Sequence, residues 1–340
     1  MGLNTIPAVS GLTRNVVAFT SSQTWTVPST AQYVDVLVVG GGSGGYGGYR
    51  YNSSSSYAGN GGAVCIGKNI YLGGTGTVSI TVGAGSNGTT GTATTSNTAP
   101  SDAGYSAFGN LIYAGGASRT VIGGMPGYKG SMLSYGYGVN SGDPSIDSNS
   151  AGINSLTYGG RGFRTSNSAD ANYFGLGLDV IGLRGGSGGV PDTTNTSSDI
   201  AGGIPGGGLS QSTANNFTLS TFPSLNWFNV NSYLGAATAG TTGGAGGTAG
   251  PAGVTGIAGG GGTPYYGTGQ HGQGGPGAGG GGGQGGKQLG GSGNGGNGGN
   301  AGTNTGAGGG AGGNTGSTTA GTGGNGGNGG SGIVVVSWLG

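Results

Sequence analysis

Glycine at every third position, recurring in separate short frames, constrains this chain more than any other feature. One frame runs through Gly244, Gly247, Gly250, Gly253, Gly256, Gly259 and Gly262. A second runs through Gly290, Gly293, Gly296, Gly299 and Gly302, and a third through Gly321, Gly324, Gly327 and Gly330. A position without Cβ in every three is what a polyproline-II-type helix needs in order to pack. Such a helix has three residues per turn, rises about 3.1 Å per residue and has no internal hydrogen bonds. Alone it is a solvated chain. In a bundle its N–H and C=O groups bond to neighbouring helices, and the close approach requires faces of bare glycine, to which Cα–H···O contacts add a little. Ninety-seven of the 340 residues are Gly, and this density forbids an α-helix of useful length.

The other two positions of each triplet are sorted. In 321–332 two faces are pure Gly and the third carries Thr322, Asn325, Asn328 and Ser331. In 290–302 one face is Gly and one carries Asn294, Asn297 and Asn300. The third is small, with Ser292, Gly295, Gly298 and Ala301. In 244–262 one face carries Pro251, Val254 and Ile257, and another carries Ala249, Ala252, Thr255 and Ala258. A flexible Gly/Ser linker has no need of such sorting. Collagen demands long unbroken triplets rich in proline. Here the frames break after a few triplets and the whole chain has 11 prolines.

Strand signals bracket the glycine tracts. Phe19 to Pro28 reads as a strand closed by proline. Tyr33–Val39 (YVDVLVV) is the clearest strand in the chain. Ala63–Leu72 follows, then the alternating Val78–Val82, then Ser106–Ala114, and finally Gly332–Trp338 (GIVVVSW). The valine runs near the two ends need partners, and nothing else is as apolar, so they are expected in one sheet. The expected fold is all-β or irregular, a β-strand layer plus a bundle or sandwich of glycine-rich polyproline-II-type helices, with essentially no α-helix. The expected organisation is a leader over 1–18 available for attachment, a β-rich region over 19–120 and a loop-rich region over 121–239. A polyproline-II bundle over 240–340 contains the closing strand 332–338.

Chemistry is sparse. Lys and Arg total nine, Asp eight, and Glu is absent, giving a net charge of +1. That is no electrostatic footprint for nucleic acid. No apolar run approaches the ~20 residues of a membrane-spanning helix, and residues 1–18 lack the pattern of a signal peptide. The single cysteine, Cys65, lies between Val64 and Ile66 and reads as a buried strand thiol. Gly40–Gly45 follows a strand, yet the dinucleotide fingerprint needs a helix after it, and Tyr46–Tyr57 has no helical pattern. Gly286-Lys287 is followed by Gln288, so no phosphate loop is present. His271 is the only histidine, too few for a triad or a zinc site. Asp143 and Asp147 read as solvated turn residues rather than calcium ligands. The expectation is no catalytic residue, no metal and no cofactor.

Between the tracts lie aromatic segments: 46–57, 125–148, 158–174, 211–234 and 263–273. If the tracts run back and forth, these segments join their ends, and loops on a rigid scaffold are where binding usually sits. Tyrosine among Ser, Gly and Asn is also the chemistry of paratopes. The candidate receptor contacts are Tyr49, Tyr51, Tyr135, Tyr137, Phe217, Phe222, Trp227, Phe228, Tyr233, Tyr265 and Tyr266. For any one of them the competing reading is a small local core.

The run FTSSQTWTVPSTAQYVDVLVVGGGSGG resembles the opening of the glycine-rich domain common in bacteriophage tail proteins. GTVSITVGAGSNG and SAFGNLIYAGG resemble that family's next strands, and GGNGGNGGSGIVVVSW its closing strand, so the resemblance brackets 19–338. More remotely, the chain is similar to the distal adhesins of T-even-type phages, in which glycine-rich tracts alternate with variable receptor-reading loops. Their N-terminal attachment domain has no counterpart in residues 1–18. The resemblance implies a non-enzymatic tail-fibre or spike adhesin located in the virion and extracellular after release. Its implied partners are other phage tail proteins, a bacterial surface receptor (glycan or outer-surface protein), and further copies of itself, as in a trimer. The alternatives are a purely structural tail or capsid decoration protein and, more weakly, an ice-binding protein, against which the bulky irregular loops argue.

Overall fold

The computed structural model describes residues 12–50, 57–94, 96, 98–117, 126–127, 180–183, 200–201, 210–211, 230–242, 252–253, 256–262, 294–315 and 321–340. Among the described residues twelve strands form: β1 (Arg14–Phe19), β2 (Gln23–Thr26), β3 (Tyr33–Val39), β4 (Val64–Tyr71), β5 (Thr77–Thr81), β6 (Ser106–Phe108), β7 (Ile112–Ala114), β8 (Pro126–Gly127), β9 (Val180–Leu183), β10 (Ile200–Ala201), β11 (Ser210–Gln211) and β12 (Ile333–Leu339). The described residues contain no α-helix, only a 3₁₀ turn at Val230–Tyr233. The fold is all-β, as the composition requires.

Two five-stranded antiparallel sheets carry the core. One has the order β1-β12-β3-β4-β9, the other β2-β5-β6-β7-β8, and β10-β11 form a separate pair. The two valine runs pair directly, from Ile333↔Val39 to Ser337↔Asp35. Side chains alternate across a strand. Val34, Val36, Val38, Val334 and Val336 therefore face the second sheet, where they meet Trp25, Ile80, Phe108 and Ile112. Leu37, Val39, Ile333 and Val335 face the other way, onto Val230, Ile257 and Ala258. Both faces of this sheet are covered, which is why YVDVLVV and IVVVSW read as continuous rather than alternating apolar runs.

Three expectations change. Phe19–Pro28 is two strands belonging to different sheets. The first begins at Arg14, inside the stretch read as a leader, because Asn15–Ala18 pair with β12 from Trp338 to Val335. Ser106–Ala114 is a hairpin, in which Gly109 turns the chain at φ +54° and Phe108 faces Ile112.

Beyond the sheets, the glycine segments lie side by side and are joined by hydrogen bonds that recur every three residues. Segment 40–50 continues β3, and 321–332 leads back into β12. Gly42, Gly45 and Gly48 donate N–H to the carbonyls of Gly330, Gly327 and Gly324 at 2.8–2.9 Å. Within 321–332 the three faces have three recipients. Gly324, Gly327 and Gly330 donate to Gly313, Gly310 and Ala307, and Gly323, Gly326 and Gly329 donate to Thr92, Thr89 and Ser86. Thr322, Asn325 and Asn328 donate to the side-chain oxygens of Asn294, Asn297 and Asn300. A Cβ added at Gly324, Gly327 or Gly330 would collide with the backbone of 294–303, and one at Gly323, Gly326 or Gly329 with that of 40–50. Both glycine faces of 321–332 are therefore interior, and Thr322, Asn325 and Asn328 lie on the exposed edge.

Candidate functional site

The hydrogen-bond register fixes which way each segment runs. Segments 83–94, 305–315 and 257–262 run away from the sheets alongside 40–50, while 57–63, 294–303 and 321–332 run toward them. Segment 235–242 runs outward beside 294–303, with Gly235, Thr238 and Thr241 donating to Thr303, Asn300 and Asn297. The ends far from the sheets therefore gather. Arg50 donates its N–H to the Thr94 carbonyl at 2.8 Å and bridges to Thr315. Gly295 bonds Thr322, and Ala311 bonds Gly262. The described segments that end at Arg50, Gly262 and Thr315 and those that begin at Tyr57, Asn294 and Gly321 all have those ends here. Tyr57 borders it, half exposed, its ring edge-on to Tyr46 at 5.6 Å.

Most of the proposed receptor contacts lie outside the described residues: Tyr51, Tyr135, Tyr137, Phe217, Phe222, Trp227, Phe228, Tyr265 and Tyr266. So do His271, Asp143 and Asp147. The two that are described are placed in the scaffold. Tyr49 is 4% exposed, which corrects its reading as a displayed loop residue. It continues the Ser43-Tyr46-Tyr49 row, whose carbonyls accept N–H groups from Gly309, Gly312 and Thr315, and its own N–H donates to Asn314 Oδ1 at 3.1 Å. That row is sheathed by 305–315. Tyr233 closes the 3₁₀ turn and packs, half buried, on the cluster beneath the first sheet. Its carbonyl accepts from Asn304 Nδ2 at 3.0 Å.

A second feature was not anticipated. At the opposite end of the first sheet, a cleft of about 340 Å³ is lined by Arg14, Tyr33, Asp35, Asn69, Trp338 and Leu339, among others. Its polar floor comes from strand register. Arg14, Asp35 and Ser337 occupy the second face of the sheet beyond the reach of the layer that covers Val335 and Leu37. Arg14 Nη1 lies 3.6 Å from Asp35 Oδ2 and donates to Ser337 Oγ at 2.9 Å. Asp35 faces a β-bulge, one residue opposite Lys68 and Asn69 between the pairs Val34↔Ile70 and Val36↔Gly67. Its Oδ1 accepts the Asn69 N–H at 3.0 Å, and Asn69 takes the left-handed φ of 54°. Tyr33 and Tyr71, both exposed, pair their rings across the rim at 5.1 Å. The available sequence signal was a polar residue inside each valine run, Asp35 in YVDVLVV and Ser337 in IVVVSW. Rings and planar hydrogen-bonding groups suit recognition. No nucleophile–base pair lines the cleft.

Among the described residues no cluster of His, Cys, Asp or Glu could hold a metal ion. Cys65 is buried, its thiol donating to the Tyr113 carbonyl at 3.3 Å. Among the described residues, no helix is long and apolar enough to cross a membrane. The chain matches no known protein-family profile, and no curated protein is significantly similar to it in sequence.

Proposed function

We propose that this chain is a non-enzymatic bacteriophage tail protein that binds a bacterial surface receptor through segments displayed on a rigid glycine-rich scaffold. One observation carries the reading: the segment ends at Arg50, Tyr57, Gly262, Asn294, Thr315 and Gly321 gather at one end of the packed array. The connections between them, including Tyr51, Tyr265 and Tyr266, start from a single rigid platform. Binding residues are typically carried by loops on such platforms. The hydrogen-bond repeat of three and the interior glycine faces support a bundle of polyproline-II-type helices as that platform. The receptor is a glycan or an outer-surface protein, the other partners are tail proteins, and the working place is the virion.

A second reading, a structural decoration protein of tail or capsid, draws on Tyr49 and Tyr233. Tyr49 is buried in the scaffold and Tyr233 packs half buried against it.

Adsorption of the purified protein to a panel of bacterial strains tests the proposal, with periodate- and protease-treated cells separating glycan from protein receptors. Two double variants locate the contact: Tyr265→Ser with Tyr266→Ser, between Gly262 and Asn294, and Trp227→Ser with Phe228→Ser, just before the 3₁₀ turn. One of them is expected to lower adsorption by at least ~10-fold, the effect of about 1.4 kcal/mol, while the scaffold stays folded. Undiminished adsorption by both folded variants, or no adsorption by the intact protein, favours decoration.

A further inference from the structure

The exposed edge of the array is built from Asn-Gly pairs, and Asn-Gly is the most reactive dipeptide towards deamidation. The glycine amide nitrogen attacks Asn Cγ, the Cγ–Nδ2 bond breaks and ammonia leaves, giving a five-membered succinimide. Water then opens either carbonyl, yielding aspartate or isoaspartate. The ring closes only if the glycine nitrogen and the asparagine carboxamide are both free to approach each other.

Here both are held. Asn294 Oδ1 accepts the Thr322 N–H at 2.9 Å, while the following Gly295 N–H donates to the Thr322 carbonyl at 2.9 Å. Asn297 Oδ1 accepts from Asn325 N–H, and Gly298 N–H donates to the Asn325 carbonyl, both at 2.8 Å. Each of these pairs clamps both backbone groups of a single residue on the adjoining segment. The motif recurs one segment further on. Asn325 Oδ1 accepts from Gly91 and Asn328 Oδ1 from Gly88, while Gly326 and Gly329 donate to Thr89 and Ser86. All four asparagines are solvent-exposed, so water reaches them. Hydrogen bonding, not burial, separates the reacting atoms.

We propose that Asn294, Asn297, Asn325 and Asn328 are deamidation sites that the fold keeps latent, and that their reaction in the unfolded chain makes unfolding irreversible. The irreversibility follows from the repeat. Isoaspartate routes the backbone through the former side chain and adds one carbon to it. In a segment whose three faces are set by counting residues, that insertion displaces every later glycine from the carbonyl it packs against. Aspartate leaves the backbone length unchanged and keeps an acceptor oxygen at the same place.

The test holds the full chain at mildly alkaline pH, native in one tube and unfolded in guanidinium in the other, and maps deamidation by peptide mass spectrometry over time. The four sites are expected to react at least ~10-fold more slowly in the native protein, the factor set by a local opening that costs about 1.4 kcal/mol. Equal rates in the two tubes would overturn the latency. Refolding then separates backbone from charge, with the double variant Asn325→Asp, Asn328→Asp as the comparison. The variant is expected to refold, and the aged isoaspartate-containing fraction is not. An aged fraction that refolds as well as fresh protein, or a variant that cannot refold, would overturn the backbone argument.

Discussion

Replacing Gly327 with valine should cost far more than replacing its neighbour Asn328 with alanine, although Asn328 carries the larger side chain. A Cβ at position 327 would lie on the Gly299 carbonyl, closer than real Cβ atoms come, with the Asn300 nitrogen 3.0 Å away on the same side. The obstacle is backbone, so no rotamer change relieves it. Overpacking in a core costs about 1–3 kcal/mol. Moving 321–332 off 294–303 also disturbs the N–H bond from Gly327 to Gly310 and the one Gly327 accepts from Gly45, each about 1 kcal/mol net. The loss of backbone freedom in the unfolded chain returns ~0.4–1 kcal/mol. The balance is a loss of roughly 2–4 kcal/mol. Asn328→Ala removes one acceptor from the Gly88 N–H at an exposed position where water can replace it, and should cost about 1 kcal/mol or less. Denaturant unfolding followed by circular dichroism, with equal m-values confirming a common unfolding reaction, gives both numbers. Equal midpoints for the two variants would show that the glycine faces are not packed as described.

Trp25→Ala should be among the most destabilising core changes, about 3–5 kcal/mol. Trp25 is the ring to which Phe19, Phe108 and Trp338 all pack, at centroid distances of 6.1, 6.2 and 5.8 Å; a wild-type melting temperature would refute it. Burial, and after it the nearby Tyr105, raise the Tyr113 phenol above its ordinary value of 10.0. The folded state thus holds that proton more tightly than the unfolded chain does. The associated stability is fully present below the unfolded value and is lost as pH rises through the folded one. Tyr113→Phe keeps the ring stacked on Tyr105 at 4.7 Å and should flatten the alkaline decline measured by denaturant titration at stepped pH. An unchanged slope would assign the decline to other groups.

The legible parts of the sequence were those where one residue type repeats without interruption. The valine runs of β3 and β12 announced themselves because both faces of their sheet are buried. The faces of 321–332 were readable because only Gly, Thr, Asn and Ser occupy them. Segments 40–50 and 83–94 carry the same spacing, at Gly42, Gly45 and Gly48 and at Gly85, Gly88 and Gly91. It was masked by the Tyr, Ser and Thr in between. In 235–242 the spacing-of-three signal is Thr238 and Thr241 alone, whose hydroxyls accept the Asn300 and Asn297 N–H groups. The polar mixture RNVVA hid β1 because an edge strand is only half buried, and Gly109-Asn110 is a turn signal sitting inside an apolar run. Tyr49 shows why the site was harder to read than the scaffold. Tyrosine next to glycine occurs both where a ring is displayed and where it fills a gap, and only the row on which it falls distinguishes them.

That asymmetry follows from how the array is held. In an ordinary core the side chains carry the packing information, so surface and interior substitutions are coupled through shared contacts. Here the segments recognise each other through backbone: carbonyl to N–H in three directions, with glycine allowing the approach. A residue inserted into 321–332 would turn every later position onto the next face and drive Asn325 or Asn328 into space that only glycine fits. A residue inserted between described segments leaves the faces of those segments unchanged, and lengthening a loop costs only about 0.6 kcal/mol for each doubling. The scaffold therefore fixes the positions of Arg50, Gly262, Asn294, Thr315 and Gly321 while leaving the chemistry between them unconstrained. A protein that must keep its framework while its recognition segments change is served by that division, and this is the physical ground for the proposal that a receptor is met by the connections rather than by the glycine faces.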